Sequence, residues 1–390
     1  MKGDSRPTKI LVLLPHFLPG RAYGGPVRTV ANLMERLGRE FDFHLLTTNH
    51  DFRSSTPYDL PVDRWLDWRG LAQVRYAPPA GLRAGALARS IRDLSPDVLY
   101  LNSLFHPRFS ILPLQLWRLG WLGPCGLALA PRGELAPGAL AQKPLRKRLF
   151  LAAARLAGGY GPVVWQASGT HEEGHIRGAW PEARIVTAAN LGVAPGEGPP
   201  RVRVKKPGEL RLLFLGRVSR MKNLPFLLQR LEGLPGRVEV QVAGPPEDPA
   251  LLDGLRRQAA GLINTRVEFL GEVEPERAAA LLREADLLAQ PSLGENFGQS
   301  ILEALCRGLP VLVSDRTPWR GLEARMAGWD LPLEDTAAFH RALETALGWS
   351  EAERAPWAEG ARRLGRERLE DPSALEGHRE LFRLARERAR

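Results

Sequence analysis

Short apolar runs alternate with helical segments, twice over, and this pattern constrains the 390-residue chain more than any other feature. "KILVLLP" (9–15), "FDFHLLTTN" (41–49), "DVLYLNS" (97–103), "GLALAP" (126–131), "VVWQAS" (163–168) and "RIVTAANLGV" (184–193) each read as a strand. Continuous apolar strands separated by helices belong in a parallel sheet covered on both faces. The first helix is expected over about 27–37, behind a glycine-rich loop. The Pro/Gly-rich tract "APGEGPPRVRVKKPGE" (194–209) breaks the pattern and reads as a linker. The pattern then restarts with "LRLLFLG" (210–216), "VEVQVAG" (238–244), "VEFLG" (267–271), "DLLAQPS" (286–292) and "PVLVSD" (310–315). From about residue 336 the chain reads as helical, with a break at "EDPS" (370–373). The expected fold class is α/β: two doubly wound Rossmann-like domains facing across a cleft. Residues 1–195 form the first domain, 196–209 the linker and 210–370 the second, and 371–390 form a terminal helix able to pack back on the first. Ligands of such sheets bind beyond the carboxyl ends of the strands.

The length suits two domains, and 44% apolar residues let each bury a core. The net charge of +10 is uneven: residues 1–200 carry 24 basic residues against 15 acids, and residues 201–390 carry 30 against 29. A basic first half points to an anionic partner, whether lipid headgroups, a phosphorylated acceptor or nucleic acid. A merely solvated surface explains the charge equally well. Cys125 and Cys306 lie in apolar surroundings without metal or redox spacing, which suits small core residues in a reducing compartment. Asp4 and Pro15 spoil any signal peptide. The apolar stretch 109–131 is broken by Arg118, Pro and Gly, so no bilayer span is expected. The expected location is the cytoplasm, with the inner face of the plasma membrane as a surface the basic half can meet.

"FLGRVSRMKN" (214–223) ends a strand and opens a helix. Arg217 and Lys222 stand there beside a helix amino terminus, the combination a diphosphate needs. The spacing matches no P-loop, and a basic loop facing water is the plain alternative. In "SLGENFGQSILEAL" (292–305), Gly294 and Gly298 let the backbone approach a ligand closely. The helix is expected to begin near Phe297, with Glu295 before it and Glu303 in its second turn. Carboxylates only accept hydrogen bonds, which suits ribose and hexose hydroxyls. The helix dipole by itself explains Glu295. It does not explain Glu303, set between Leu302 and Ala304.

"GRVSRMKN", followed about eighty residues later by "GENFGQSILEALCRGLPVLVSD", resembles the donor domain of the family-4 retaining glycosyltransferases, which have GT-B architecture and an E-x7-E signature. "LPHFLPGRAYGGPVRTVANLMERL" resembles their first strand, glycine loop and helix, and "NLGV" (190–193) is similar to the turn ending their first domain. The resemblance implies that Glu295 binds the transferred sugar beside the reacting carbon and that Glu303 holds the ribose. It implies that Arg217 and Lys222 neutralise the leaving diphosphate, and that Gly24 and Gly25 bring the first domain's backbone to the phosphates. The backbone of Asn296, Phe297 and Gly298 would touch sugar hydroxyls, and the base would lie near "GEV" (271–273). Such enzymes are metal-independent and use no cofactor. Their donor is a nucleotide-diphosphate sugar, here UDP- or GDP-linked, and their acceptor a glycan or lipid-linked hydroxyl in cell-surface polysaccharide, lipopolysaccharide or glycolipid synthesis.

The chain departs from that pattern on the acceptor side. Many members carry a His after the strand expected at 97–103, where this chain has Asn102, with His106 four residues on. "APRGELAPGAL" (130–140) stands where many have His-Gly, although a subgroup linked to polysaccharide synthesis has a similar "PRGEL" stretch. Asn102, His106, Arg132, Glu134 and His16 are the acceptor-side candidates; His16 reads equally as a structural residue. "QKPLRKRLFLAAARLAG" (142–158) is basic, then apolar at helical spacing. It suits either an anionic membrane surface or packing on its own domain. A nucleic-acid binder would show steep salt dependence, but no aromatic-interleaved basic stretch supports one, and no nucleic acid is expected. A dinucleotide oxidoreductase is disfavoured because "GRAYGGPV" lacks the G-x-G-x-x-G spacing. A degenerate, non-catalytic transferase is opposed by the intact glutamate pair and kept open by the missing His.

Overall fold

A computed structural model describes residues 6–141, 144–192 and 203–389. The chain divides into two compact units, Met1–Val193 with Asp371–Arg390 and Ala194–Glu370. Residues 196–202 of the expected linker, together with Val193, Gln142 and Lys143, lie outside the described residues.

The first unit runs β1 (Lys9–Leu13), α1 (Gly25–Leu37), β2 (Asp42–Thr48), β3 (Trp65–Trp68), β4 (Ala72–Ala77), α2 (Ala84–Leu94), β5 (Val98–Leu101), α3 (Leu112–Arg118), β6 (Gly126–Leu129), α4 (Pro137–Leu140), α5 (Pro144–Leu156), β7 (Val164–Ala167), α6 (Thr170–Ala179) and β8 (Arg184–Thr187). Its eight-stranded sheet is ordered β3-β4-β2-β1-β5-β6-β7-β8. Every pairing is parallel except β3 with β4. β5, β6 and β7 are buried along their whole length, which is why they read as unbroken apolar runs. β3 and β4 were not expected. They form the edge of the sheet, where β4 alternates buried and half-buried residues and carries Gln73 and Arg75. β8 is shorter than its apolar run: Asn32 Nδ2 donates to the Leu191 carbonyl at 2.8 Å and Arg36 Nη1 to the Gly192 carbonyl at 3.1 Å. Side chains of α1 thus hold the backbone that would otherwise extend the strand.

The second unit runs β9 (Glu209–Leu215), α7 (Leu224–Arg230), β10 (Arg237–Ala243), α8 (Pro249–Ala260), β11 (Thr265–Gly271), α9 (Pro275–Glu284), β12 (Leu287–Gln290), α10 (Gln299–Cys306), β13 (Val311–Ser314), β14 (Gly328–Leu331), α11 (Thr336–Gly348) and α12 (Glu351–Glu370). Its six strands are all parallel, ordered β11-β10-β9-β12-β13-β14. β14 was also unexpected; it enters the sheet through Gly328, where a Cβ would stand 1.8 Å from the Val311 carbonyl oxygen. α12 braces α10 at backbone contact, since a Cβ on Gly365 would lie 2.5 Å from Cys306 N. The buried Lys205 ammonium donates to the Leu347 and Trp349 carbonyls at 3.1 and 3.0 Å, a cation closing the carboxyl end of α11.

The last helix, α13 (Pro372–Glu387), belongs to the first unit. It lies close against β6 and β8, where Cβ atoms on Gly126 and Gly377 would stand 1.8 Å from the Ala385 carbonyl and 2.5 Å from the Thr187 carbonyl. Its Phe382 ring meets Phe41, Phe43 and Tyr100 edge-on at 5.3, 6.0 and 5.4 Å. Each sheet has one point where successive connections leave in opposite directions: between β1 and β5 in the first unit, and between β9 and β12 in the second. Loops diverge there at the carboxyl ends of the strands, and this is where such sheets bind ligands.

Candidate functional site

In the second unit, two loops meet at that point. Lys222, in the loop after β9, donates from Nζ to Glu295 Oε2, in the loop after β12. The side chains are 19% and 17% exposed, so the ion pair is partly shielded from water. Backbone bonds fix it. Leu293 N–H donates to the Met221 carbonyl at 2.8 Å, Asn223 Nδ2 to the Pro291 carbonyl at 3.1 Å, and Glu295 N–H to the Arg316 carbonyl at 3.1 Å. Asn223 can turn the chain into α7 because it takes the left-handed conformation, φ 56°. The ammonium lies across the end of β9: a Cβ on Gly216 would stand 3.6 Å from Lys222 Cε. Arg217 is half-buried, and its guanidinium has no ion pair or hydrogen bond to any described residue.

α10 begins at Gln299, two residues later than expected. Gly298 takes φ 80°, a conformation that favours glycine, and a Cβ there would lie 2.7 Å from Ile301 Cδ1. The buried Phe297 gives its carbonyl to Trp319 Nε1 at 2.7 Å, which leaves its N–H rather than its carbonyl for a ligand. Asn296 is half-buried. Glu303 is half-buried in the second turn of α10, between buried Leu302 and Ala304. The "GEV" segment begins at Gly271, the last residue of β11, with Glu272 exposed. The arrangement sets a carboxylate, an ammonium, a guanidinium and a helix amino terminus around one strand crossover.

In the first unit, Gly24 (φ 79°) precedes α1 and Gly25 opens it, at the carboxyl end of β1. The Asp51 carboxylate holds the preceding loop by accepting from the N–H groups of Arg21 (3.0 Å), Ala22 (3.3 Å) and Phe52 (2.7 Å). His16 Nδ1 lies 3.0 Å from the His50 carbonyl oxygen, so Nδ1 carries the hydrogen and Nε2 the lone pair. His106 has the opposite tautomer, because its Nδ1 accepts from Phe109 N–H at 3.2 Å and its hydrogen therefore sits on Nε2. Burial lowers the pKa of both rings; with help from His16 and Arg108, that of His106 falls to about 4. One neutral imidazole therefore offers an acceptor and the other a donor.

The other three acceptor-side candidates are engaged within the protein. Asn102 is buried, and its Oδ1 accepts from Arg132 Nη2 at 2.6 Å and Nε at 3.2 Å. Arg132 also donates to Asn190 Oδ1 at 2.6 Å and to the Tyr100 hydroxyl at 2.8 Å. Glu134 accepts from the N–H groups of Leu104 (2.6 Å) and Phe105 (3.0 Å) and from Ser103 Oγ (2.9 Å). Burial raises its pKa, and these donors offset only part of the rise. The "PRGEL" stretch thus shapes the loop after β5, and its charged groups are used in doing so. Behind it, Tyr100 donates to Gln166 Oε1, and Gln166 Nε2 reaches the Ala188 carbonyl at 2.7 Å and lies 3.3 Å from His378 Nε2. Sequence reasoning missed Asp51, Gln166, Gln290 and Glu172. A signal existed for the glutamines: a lone amide near the end of a wholly apolar strand asks for a buried partner. Gln290 has two, the Leu215 carbonyl and Ser300 Oγ at 3.0 Å.

Among the described residues, no helix is long and apolar enough to cross a membrane, and no His, Cys, Asp or Glu cluster is placed to hold a metal ion.

Comparison with known proteins adds to this geometry. A D-inositol 3-phosphate glycosyltransferase of Nocardia farcinica is 38% identical over 143 residues, 35% of this chain and 29% of that protein. A phosphatidyl-myo-inositol mannosyltransferase of Mycobacterium leprae is 34% identical over 142 residues, 35% of this chain and 37% of that protein. The chain thus spans only about a third of the length of these curated relatives. Anabaena Alr3699/HepE, solved with UDP and glucose, is similar over 96% of this chain and 99% of its own, with a TM-score of 0.64 and 17% identity. At that identity the likeness is one of fold, the paired Rossmann-like architecture of GT-B glycosyltransferases. Residues 209–348, which hold Arg217, Lys222, Glu295 and Glu303, match the family described as Glycosyl transferases group 1.

Proposed function

We propose that this chain is a metal-independent retaining glycosyltransferase that moves a sugar from a nucleotide-diphosphate sugar, UDP- or GDP-linked, to a hydroxyl of a glycan or lipid-linked acceptor. Cell-surface polysaccharide, lipopolysaccharide or glycolipid synthesis is the setting we infer, on the cytoplasmic side, where two free cysteines are at home. The observation that carries the reading is the meeting of Lys222 and Glu295, 73 residues apart, at the strand crossover of a glycosyl transferases group 1 domain. Donor binding exchanges partners: Lys222 turns to the phosphate and Glu295 to the sugar hydroxyls. Arg217, with no partner among the described residues, is the second cation for the diphosphate.

In the reaction, the bond between the anomeric carbon and the distal phosphate oxygen breaks, and its electron pair leaves with the diphosphate. The acceptor oxygen bonds to that carbon on the same face, and its proton passes to the departing phosphate oxygen. Negative charge grows on the diphosphate as the bond stretches. A preorganised donor aimed at such charge contributes about 3–4 kcal/mol. The UDP of the HepE complex favours uridine as the base. The test has two parts. A thermal-shift screen of UDP, GDP, ADP and their sugars is expected to raise the melting point with one base above the others. Nucleotide release from the matching donor is expected to collapse in Glu295→Gln and Lys222→Ala. Unchanged turnover in both variants would reject the site.

A further inference from the structure

The loop after β12, residues 291–298, carries Glu295 and the backbone that leads into α10, and two neighbouring loops hold it. The loop after β9 holds its start through Met221 and Asn223. The loop after β13, residues 315–322, holds its middle and its end. Glu295 N–H donates to the Arg316 carbonyl at 3.1 Å, and Trp319 Nε1 donates to the Phe297 carbonyl at 2.7 Å. Loop 315–322 is itself pinned. Asp315 N–H donates to the Leu331 carbonyl of β14 at 2.8 Å, and Trp319 N–H to Thr317 Oγ1 at 3.3 Å. The Asp330 carboxylate accepts from Gly321 N–H at 3.1 Å and from Leu322 N–H at 2.8 Å. Trp319 is buried, and close packing leaves such a ring one orientation.

The consequence lies at the far edge of one peptide plane. A trans peptide is planar and carries its C=O and N–H on opposite edges. With the Phe297 carbonyl turned to Trp319, the Gly298 N–H is turned the other way, and no described residue bonds it. The indole closes up against the backbone at a residue with no side chain to prevent it: a Cβ on Gly298 would stand 3.0 Å from Trp319 Nε1. An apolar ring could fill the same space. What the indole adds is a hydrogen-bond donor with no acceptor capacity. We propose that Trp319 is a positioning residue for recognition of the transferred sugar. Its N–H sets the Phe297–Gly298 peptide so that the Gly298 N–H faces one hydroxyl of that sugar, while Glu295 accepts from another. The proposal rests on the transferase reading of this site and adds to it the residue that aims the amide donor.

The competing role for Trp319 is to fill the core beside Phe297, whose ring centroid is 6.3 Å away. Two substitutions remove different halves of the indole and separate the roles. Trp319→Phe keeps a six-membered ring and loses the N–H. Trp319→His keeps a five-membered ring with a nitrogen in the Nε1 place and loses the benzo half. Nucleotide release by the full chain is measured with UDP-glucose, GDP-mannose and ADP-glucose, together with the melting point and the affinity for the matching free nucleotide. Trp319→Phe is expected to lower kcat/KM about 5–10-fold, the effect of one hydrogen bond, and to leave nucleotide affinity within about 2-fold of the parent. Trp319→His is expected to melt below Trp319→Phe, because it leaves the larger cavity, yet to keep kcat/KM within about 3-fold of the parent. Asp330→Ala frees Gly321 and Leu322 without touching the ring, and is expected to lower kcat/KM about 2–3-fold. A kcat/KM that follows the melting point through all three variants, or one unchanged in Trp319→Phe, would overturn the proposal; a collapse in Glu295→Gln alongside would leave the transferase reading standing. A parent that releases nucleotide from none of these donors would remove the reading and the proposal together.

Discussion

The carboxyl edges of the two sheets share a topology and differ in what they do with charge. In the second unit, Arg217, Lys222 and Glu295 stand around the crossover, and the Lys222–Glu295 pair joins two loops that both end at the site. In the first unit, Asp51, Arg132, Glu134 and Glu172 bond backbone amides or buried amide side chains. The Nε2 atoms of His16 and His106, both on neutral rings, are bonded by no described residue. The same layered scaffold thus gives one edge suited to an anion and another suited to uncharged hydroxyls. Charged residues near a strand end indicate chemistry only when the loop itself does not consume them.

The largest expected effect separates the edges directly. Lys222→Ala should lower turnover about 10²–10³-fold, the loss typical of one preorganised donor. Arg132→Ala should instead show itself mainly in stability, by about 2–3 kcal/mol in urea melts, because buried acceptors lose a charged partner. A variant of Arg132 that kills turnover while keeping full stability would break the contrast.

Acid comes next. Seven of the eight histidines belong to the first unit. Burial holds His378 and His106 at about 4, and His16, His44 and His175 are also lowered. Such rings take up protons more readily once the chain unfolds. Their stabilising effect is therefore complete above the ordinary histidine value of 6.5 and is lost as pH falls from there toward 4. The fully buried His378 contributes about 3 kcal/mol to this window. Hydrogen exchange at pH 5 should open β5 to β8 and α13 before the second unit, and His378→Gln should flatten the dependence. Simultaneous opening of both units would remove the difference.

A smaller effect sharpens the roles within the pair. Glu295→Gln frees Lys222 from its carboxylate, so UDP should bind about 2–5-fold tighter by calorimetry, as expected for loss of a partly exposed competing ion pair. Sugar transfer should fall in the same variant. Weaker UDP binding would place Glu295 on the nucleotide side.

The smallest change in stability is expected at Gly25. A Cβ there meets nothing within 4 Å, and its backbone is not left-handed. Gly25→Ala should therefore stay within about 0.5 kcal/mol of the parent, and a several-fold rise in the donor KM of this variant is the expected result if Gly25 approaches the donor. Gly24, at φ 79°, should lose stability on the same substitution and serves as the control.

Much of the fold was legible because β1, β5, β6, β7, β9, β12 and β13 are core strands whose burial on both faces writes an apolar run into the chain. The strands that escaped, β3, β4 and β14, lie at or next to a sheet edge, where one side meets water and the run breaks into mixed residues. In the candidate site, loop glycines and charges after strand ends marked Arg217, Lys222 and Glu295, and the structure pairs Lys222 with Glu295. The bonds made by the PRGEL stretch were not legible for a physical reason: the partners of Arg132 and Glu134, which are Asn102, Asn190 and the amides of Leu104 and Phe105, lie 29 to 58 residues away.

By itself, the sequence determined the layered α/β character of both units and the residue types at the ends of their strands, since burial on two faces and helical spacing are local patterns of apolar residues. Only the tertiary structure decided which of those end residues remain available. The capacity of a polar side chain for hydrogen bonds is finite, and here it is filled from far along the chain: Tyr100 by Gln166, 66 residues on, and Gln166 in turn by His378, 212 residues on. No local pattern of residues records a partner at that distance.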